Sequence, residues 1–221
     1  MYTLHSSPDT ASLVVRMVLA ELDLPHQSIT IDREAGALSS TEYRRMHPLG
    51  LIPAMETPDG PMFETAAILL YLSDRHPGLA PAPNTPQRAA FLKWLFFTST
   101  NIHPCLLQLF YPDRVAGAAC VDKVMEHARA RMQIYLTAIN DMVAQDAPDW
   151  ISPDQPGLMG YYLGMLMRWL ATYGEGHPSY FRSAQFSALH AVLAAHESRP
   201  AALRIAADEN LGDTLFTNPA Y

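Results

Sequence analysis

The chain has 221 residues, of which 49% are hydrophobic and 17% charged, and its formal net charge is -7. This composition predicts a well-packed globular protein of one large or two small domains and argues against a disordered chain. The acidic balance lacks the clustered Lys and Arg that nucleic-acid binding needs. No apolar run is long enough to span a bilayer, and the N-terminus lacks the basic start and apolar core of a signal peptide, so we expect a cytoplasmic protein outside the membrane.

Two cysteines, Cys105 and Cys120, are the only ones in the chain. Their number and spacing fit neither a disulfide framework nor a Cys-x-x-Cys redox or zinc motif. We therefore expect no metal.

The first part of the chain alternates between strand and helix patterns. The predicted elements are a strand at Tyr2–His5, a helix at Ser12–Leu22, a strand at Gln27–Ile31, a short helix at Thr41–Met46, strands at Ala54–Thr57 and Pro61–Phe63, and a helix at Thr65–Arg75. A β-α-β arm followed by a β-β-α arm predicts a compact α+β unit of roughly 80 residues.

A proline-rich linker follows, and beyond it the pattern is helical throughout. The predicted helices run from Gln87 to Tyr111, Val121 to Val143, Leu158 to Tyr173 and Phe181 to His196. Pro104 should kink the first of them or end its first segment, because proline removes a helical N–H donor.

The stretch Gly50-Leu51-Ile52-Pro53 places a proline between a turn and a strand. A cis bond before Pro53 would turn the N–H and C=O of Ile52 toward an extended ligand, which could then pair with them as a strand does. The alternative is a proline that merely starts a strand.

Glu64 and Thr65 stand where a helix begins, so free backbone N–H groups and the helix dipole favour an anion there. A ligand carboxylate could accept hydrogen bonds from the Thr65 N–H and hydroxyl, and Glu64 could accept from an ammonium. The alternative is an ordinary helix cap beside an acidic residue.

These two pieces, together with the order of elements, resemble the glutathione transferase family. The stretch from Glu64 to Leu72 matches that family's Glu-Ser-x-Ala-Ile-x-x-Tyr-Leu pattern with Thr for Ser, and it follows an Ile-Pro turn at the family's spacing. The resemblance covers essentially the whole chain. It implies a thioredoxin-like α+β domain at residues 1–78, a linker at 79–86 and an all-helical domain at 87–221.

The resemblance also implies glutathione as a co-substrate. Ile52, next to Pro53, would pair with the cysteinyl backbone of glutathione, and Glu64 and Thr65 would hold its γ-glutamyl end. A homodimer is implied as well, with the helix from Gln87 contacting the partner's N-terminal domain.

The loop Ser6–Ser12 departs from the family pattern. By its proline spacing it looks most like the bacterial beta class, in which the expected cysteine falls on Ala11 and the expected tyrosine on Ser6. The nearest hydroxyls are Thr10 and Ser12, either of which could donate to a thiolate at the helix N-terminus. The alternative for Ser12 is that it only caps the helix.

Two residues of the long helix are further candidates. His103 occupies the place where beta-class relatives carry a histidine facing the sulfur, so it could favour the thiolate or transfer a proton, or it could be a packed helix-face histidine. Tyr111 is a candidate for the acceptor pocket, although aromatic residues at helical spacing usually belong to a core.

A last departure concerns the helix that starts at Leu158. The family usually begins this helix with a Ser/Thr-x-x-Asp capping box, and here Gly157-Leu158-Met159-Gly160 takes its place. We expect packing of Leu163 and Leu166 to secure the helix instead, or the helix to start differently.

The leading functional hypothesis is therefore a detoxifying transferase that conjugates glutathione to small hydrophobic electrophiles. The alternatives are a glutathione-binding protein of this fold with little catalysis, and a glutathione-dependent disulfide reductase or isomerase.

Overall fold

The computed structural model describes all 221 residues, Met1–Tyr221. Its first part is built on a mixed four-stranded sheet with the strand order β2-β1-β3-β4. The strands are Tyr2–Ser6 (β1), His26–Thr30 (β2), Ala54–Thr57 (β3) and Gly60–Phe63 (β4). β1 is parallel to β2 and antiparallel to β3, and β3 is antiparallel to β4. With its helices this sheet forms a thioredoxin-like N-terminal domain, as the sequence predicts.

Helices accompany this sheet, and the chain beyond it is mostly helical. The helices are Ser12–Glu21 (α1), Thr41–Met46 (α2), Thr65–Arg75 (α3), Arg88–Phe97 (α4), His103–Phe110 (α5), Asp113–Ala116 (α6), Val121–Asp146 (α7), Leu158–Leu170 (α8), Ser187–Glu197 (α9) and Pro200–Asp208 (α10). No helix combines the length and the apolar composition that crossing a membrane requires.

Helix α1 joins the two halves. It packs against β1 and α3 of its own domain and against α8 and α10 of the helical half. Its apolar residues, such as Leu13, Val15 and Leu19, are completely buried in a core that runs on into the helical half. The start of α1 is thus held between both halves of the molecule.

The predicted disturbance at Pro104 is present, as a short π-helix over Thr98–Ile102 between α4 and α5. Because Pro104 has no N–H to donate, the preceding turn widens, and the N–H of His103 bonds to the C=O of Thr98, five residues back. The wider turn leaves His103 at the start of α5.

Two predicted helix bounds and one missing helix at the C-terminal end need correction. α8 ends at Leu170 rather than at Tyr173, because the N–H groups of Ala171 and Thr172 bond to carbonyls only three residues back, those of Arg168 and Trp169. α9 begins at Ser187 rather than at Phe181, because tertiary partners hold the preceding segment: Ser183 Oγ bonds to His190 and to the carbonyl of Thr217. α10 was not predicted at all.

The start of α8 has an unexpected hydrogen-bond acceptor. The N–H of Gly157 donates to Nε2 of the buried His196, 3.0 Å away, and Nδ1 of His196 lies 2.8 Å from the carbonyl of Val192. A side chain from α9 therefore does what a capping box does elsewhere.

Candidate functional site

One edge of the sheet collects the segments that the sequence singles out. His5 at the end of β1 pairs with Ala54 at the start of β3, which pairs with Phe63 at the end of β4. Because β1 and β4 both run opposite to β3, the ends of β1 and β4 share an edge with the start of β3. The loop after β1, the Ile52-Pro53 turn and Glu64-Thr65 therefore lie side by side.

The Ile52-Pro53 peptide bond is cis, as the functional interpretation requires. Neither the N–H nor the C=O of Ile52 forms a backbone hydrogen bond, so both are open to an extended ligand. The hydroxyl of Tyr43 donates to the carbonyl of Leu51 at 2.8 Å and fixes the turn from behind. Burial raises the pKa of Tyr43 to about 12, so this donor keeps its proton at neutral pH.

Glu64 immediately precedes α3 and has φ +71°, a conformation that is costly for a residue with a Cβ atom. Its side chain does not cap the helix, and the carboxylate is exposed. Thr65 is the first helical residue and is buried. The free N–H groups of the first turn of α3 can thus receive a carboxylate, and Glu64 can receive an ammonium group.

The loop after β1 closes through two hydroxyls. Thr10 Oγ1 donates to the carbonyl of Ser7 at 2.7 Å, and Ser12 Oγ donates to the same carbonyl at 3.1 Å. The two hydroxyl oxygens are 2.8 Å apart. The N–H of Ser12 lies 3.4 Å from Thr10 Oγ1. Because α1 begins at Ser12 with Ala11 at its N-cap, neither hydroxyl occupies the capping position.

The two hydroxyls differ in access. Ser12 is completely buried, whereas Thr10 keeps part of its surface exposed. If Ser12 donates to Thr10 Oγ1, the Thr10 proton is free to leave the Ser7 carbonyl and to point outward. The N–H groups of Thr10 and Ala11 also lack backbone acceptors. This helix N-terminus can therefore offer several donors to an anion.

His103 lies among aromatic side chains of α8. Its Nδ1 is 2.9 Å from the hydroxyl of Tyr162, and its ring contacts the ring of Trp169 edge-on with centroids 5.7 Å apart. Although part of His103 is accessible, burial lowers its pKa to about 4, so the ring is neutral at physiological pH. Burial also raises the pKa of Tyr162, with a contribution from the negative charge of Glu64. Tyr162, the hydrogen-bond partner of His103, is thus influenced by the charge at the start of α3.

Three residues of this region were missed by the sequence analysis. Asp9 accepts hydrogen bonds from the guanidinium of Arg168 and from the indole N–H of Trp169. Trp169 in turn contacts His103, so the loop and the histidine meet at α8. The only sequence signal was the spacing of Tyr162 and Trp169, two helical turns apart on one face of α8.

Tyr111 lies at the end of α5 and is 39% exposed. The guanidinium of Arg114 lies 4.1 Å from the centre of its ring. Next to it, Phe110 contacts Tyr173 with centroids 5.5 Å apart. Phe110, Tyr111 and Tyr173 therefore form a group of aromatic side chains at the end of α5.

A cavity of about 460 Å³ is not part of this edge. It lies within the helical half, between the end of α8 and the segment around Phe216. None of the predicted site residues lines it.

Comparison with known proteins agrees with this geometry. Residues 11–75 match the family model for the N-terminal domain of glutathione S-transferases. A sphingomonad glutathione S-transferase, whose structure was solved in complex with glutathione, superimposes with a TM-score of 0.76 and 25% identity, covering 95% of this chain and all of that one.

Residues 11–75 thus form a glutathione S-transferase N-terminal domain, and the whole chain has the glutathione S-transferase fold. Among similar proteins, glutathione S-transferase GST-4.5 of Xanthomonas campestris is 26% identical over 169 residues, which are 75% of this chain and 81% of the relative. The disulfide-bond oxidoreductase YfcG of Escherichia coli is 33% identical over 115 residues, which are 49% of this chain and 53% of the relative.

Proposed function

We propose that this protein binds glutathione at the sheet edge and conjugates it to small hydrophobic electrophiles. The observation that carries the proposal is the meeting, at one edge, of the open backbone of Ile52, the N-terminus of α3 and the N-terminus of α1. An extended peptide, an α-amino acid end and a thiolate each need one of these three features.

In this proposal the cysteinyl backbone of glutathione pairs with Ile52, next to the cis Pro53. The γ-glutamyl carboxylate accepts from the Thr65 N–H and hydroxyl, and its ammonium donates to Glu64. The glutathione bound to a sphingomonad relative of 25% identity supports a peptide ligand of this kind.

The thiol then lies toward the N-terminus of α1. Thr10 is the residue that donates to the thiolate, and the buried Ser12 supports it by donating to Thr10 Oγ1. Each pKa unit by which the thiol is lowered corresponds to about 1.4 kcal/mol of thiolate stabilisation. The thiol proton leaves to solvent, the sulfur forms a bond to the electrophilic carbon, and the leaving group departs with its electron pair.

In this proposal His103 does not stabilise the thiolate as a positively charged group. With its pKa lowered to about 4 by burial, it is neutral in the working range and acts as a hydrogen-bonding group, oriented by Tyr162. Tyr111 and the neighbouring aromatic side chains would receive the apolar acceptor.

The test of the binding site is calorimetry with glutathione on two variants of Thr65. Thr65→Ala removes the hydroxyl, and we expect its Kd to rise about tenfold, as for the loss of one hydrogen bond to a charged group. Thr65→Ser keeps the hydroxyl and should bind within about twofold of the unmodified protein. Equal affinity of all three proteins would remove Thr65 from the site.

A glutathione-dependent disulfide reductase is the second candidate, and the partial match to a disulfide-bond oxidoreductase favours it. Here one glutathione thiolate attacks the glutathione sulfur of a mixed disulfide, which yields oxidised glutathione and releases the other thiol. Turnover of an aromatic chloride and of a mixed disulfide, measured side by side, separates the two reactions. Binding without turnover of either substrate would leave a glutathione-binding protein.

We further propose a cytoplasmic homodimer without a nucleic-acid or membrane partner and with a role in detoxification. Exposed apolar side chains on both halves support the dimer: Phe96 on α4, and Leu49, Leu51 and Phe63 on the N-terminal domain. Sedimentation velocity measures the assembly state, and a monomer at micromolar concentration would contradict the dimer.

A further inference from the structure

Asp9 has a left-handed backbone conformation. It stands in the loop between β1 and α1, directly before Thr10, and has φ +48°. Left-handed conformations of residues other than glycine cost free energy and persist only where the surroundings impose them. The contacts of Asp9 show what imposes this one.

The carboxylate of Asp9 is held in two places by the helical half. The guanidinium of Arg168 donates to both of its oxygens, at 3.0 and 2.9 Å, and the indole N–H of Trp169 donates at 3.1 Å. The backbone N–H of Asp9 donates to Glu209 at 2.8 Å, and Glu209 accepts from Arg16 of α1 at 2.6 Å. Both the side chain and the backbone N–H of Asp9 therefore attach the loop to the helical half.

The partner of Asp9 is itself rigid. Arg168 is 2% exposed, donates to the carbonyl of Leu211 at 3.3 Å and lies 4.6 Å from the ring centre of Tyr221. A planar guanidinium with two parallel bonds to a carboxylate sets the orientation of that carboxylate as well as its distance. Asp9 thus fixes the position of the loop relative to α8.

We propose that Asp9 is a positioning residue of the thiol site, which clamps the loop to Arg168 and Trp169 and so directs the Thr10 hydroxyl and the first N–H groups of α1 at the glutathione sulfur. The same clamp connects the loop to His103, because Trp169 contacts both. This inference rests on the proposed glutathione function and names what keeps its thiol donors aligned.

The chain supplies a matched control at the other end of α1. Glu21 accepts from the guanidinium of Arg199 at 2.7 Å and from the hydroxyl of Tyr161 at 2.5 Å. This second clamp also joins a carboxylate of the N-terminal domain to an arginine and an aromatic donor of the helical half. The Glu21 clamp differs in its position, because it lies about the length of α1 away from Thr10.

The experiment compares Asp9→Ala, Asp9→Asn and Glu21→Ala. For each, calorimetry gives the Kd of glutathione, the ultraviolet absorbance of the bound thiolate against pH gives the thiol pKa, and urea unfolding gives the stability. We expect both alanine variants to lose stability, but only Asp9→Ala to raise the thiol pKa, with about tenfold less thiolate at neutral pH. The Kd should stay within about threefold, because β3 and α3 are unchanged.

Asp9→Asn distinguishes position from charge. Asparagine tolerates the left-handed conformation and can still accept from Arg168 or Trp169, so its thiol pKa should lie between those of the unmodified protein and Asp9→Ala. If Asp9 acted through its negative charge alone, both variants would lower the thiol pKa equally, and the inference would be overturned. Should Asp9→Ala fail to fold, a thiol pKa in Asp9→Asn no higher than in the unmodified protein overturns it as well.

The same measurements separate this inference from the proposed function. If the unmodified protein neither binds glutathione nor lowers its thiol pKa, the proposed function fails and this inference fails with it. If the unmodified protein does both and Glu21→Ala shifts the thiol pKa as much as Asp9→Ala, the proposed function stands and only the role of Asp9 is lost.

Discussion

At the scale of single residues, the hydroxyls of Thr10 and Ser12 show how burial divides one role between two side chains. Both lie within hydrogen-bond distance of the Ser7 carbonyl and of each other, yet only Thr10 has accessible surface. A donor to an incoming sulfur has to be reachable, whereas a supporting donor does not. Under the proposed function, Thr10 therefore lies at the sulfur and Ser12 behind it.

Substitution of Thr10 tests this division. Thr10→Val keeps the shape and removes the hydroxyl, so we expect kcat/KM for conjugation to fall at least tenfold and its pH profile to move to higher pH. Thr10→Ser restores the hydroxyl and should restore most of the rate. Steady-state kinetics across pH 6 to 9 measures both, and a Thr10→Val enzyme with an unchanged profile would exclude Thr10 as the thiolate donor.

At the scale of elements, the start of α8 depends on a side chain of α9. The His196 ring accepts from the Gly157 N–H, and a Cβ atom at Gly160 would overlap that ring. The glycine that replaces the capping-box acid therefore has a packing reason, which is the space that the imidazole occupies. Burial lowers the pKa of His196, so the neutral ring that can accept this bond is the favoured form.

A double-mutant cycle tests this coupling. Gly160→Ala alone should destabilise the protein by about 2–4 kcal/mol through overlap with His196. In a His196→Ala background the same change meets no ring, and helix propensity should make it neutral or stabilising by up to about 1 kcal/mol. Urea unfolding of the four proteins gives the coupling energy, and additive effects would contradict the packing argument.

At the scale of the whole molecule, α1 is clamped to the helical half near both ends, through Asp9 in the preceding loop and through Glu21 in its last turn. Burial by itself would raise the pKa of Glu21, but hydrogen bonds from Arg199 and Tyr161 outweigh it and the pKa is lowered. Between the clamps α1 is buried in the continuous core. The two halves should therefore unfold together.

Buried histidines make this shared stability sensitive to acid. Burial lowers the pKa of His47, His103 and His196 below the unfolded value of about 6.5. The unfolded chain then binds protons at a higher pH than the folded one. The stability that these neutral histidines contribute is therefore fully present above pH 6.5 and is lost as the pH falls toward their pKa values in the folded protein. For His103, with a folded pKa of about 4, the loss at pH 5 amounts to about 2 kcal/mol.

Urea unfolding at pH 7.5 and at pH 5 measures this loss. We expect the stability to fall between the two conditions and the fall to shrink by about 2 kcal/mol in His103→Gln, which has no titrating ring. The denaturant slope should stay constant, since the exposed surface does not change. An equal fall in both proteins would show that His103 does not keep a lowered pKa.

Local patterns were enough to predict the elements that define the N-terminal domain. α2, β3 and α3 begin and end where the sequence places them, because turn formers and helix periodicity act within a few residues of each other. The same local signals pointed to Ile52, Pro53, Glu64 and Thr65 as a possible ligand edge. Local signals failed at the start of α9, where hydrogen bonds to distant residues hold the chain out of the helix.

The sequence by itself therefore determined the order of strands and helices in the N-terminal domain, the resemblance to glutathione transferases and the segments that should hold glutathione. Only the tertiary structure decided which hydroxyl is accessible, that His103 is neutral, and that Asp9 is bound by Arg168 and Trp169. These properties depend on burial and on partners about 60 and 160 residues away along the chain. Periodicity and turn chemistry act over one or two helical turns, so they carry no information about such partners.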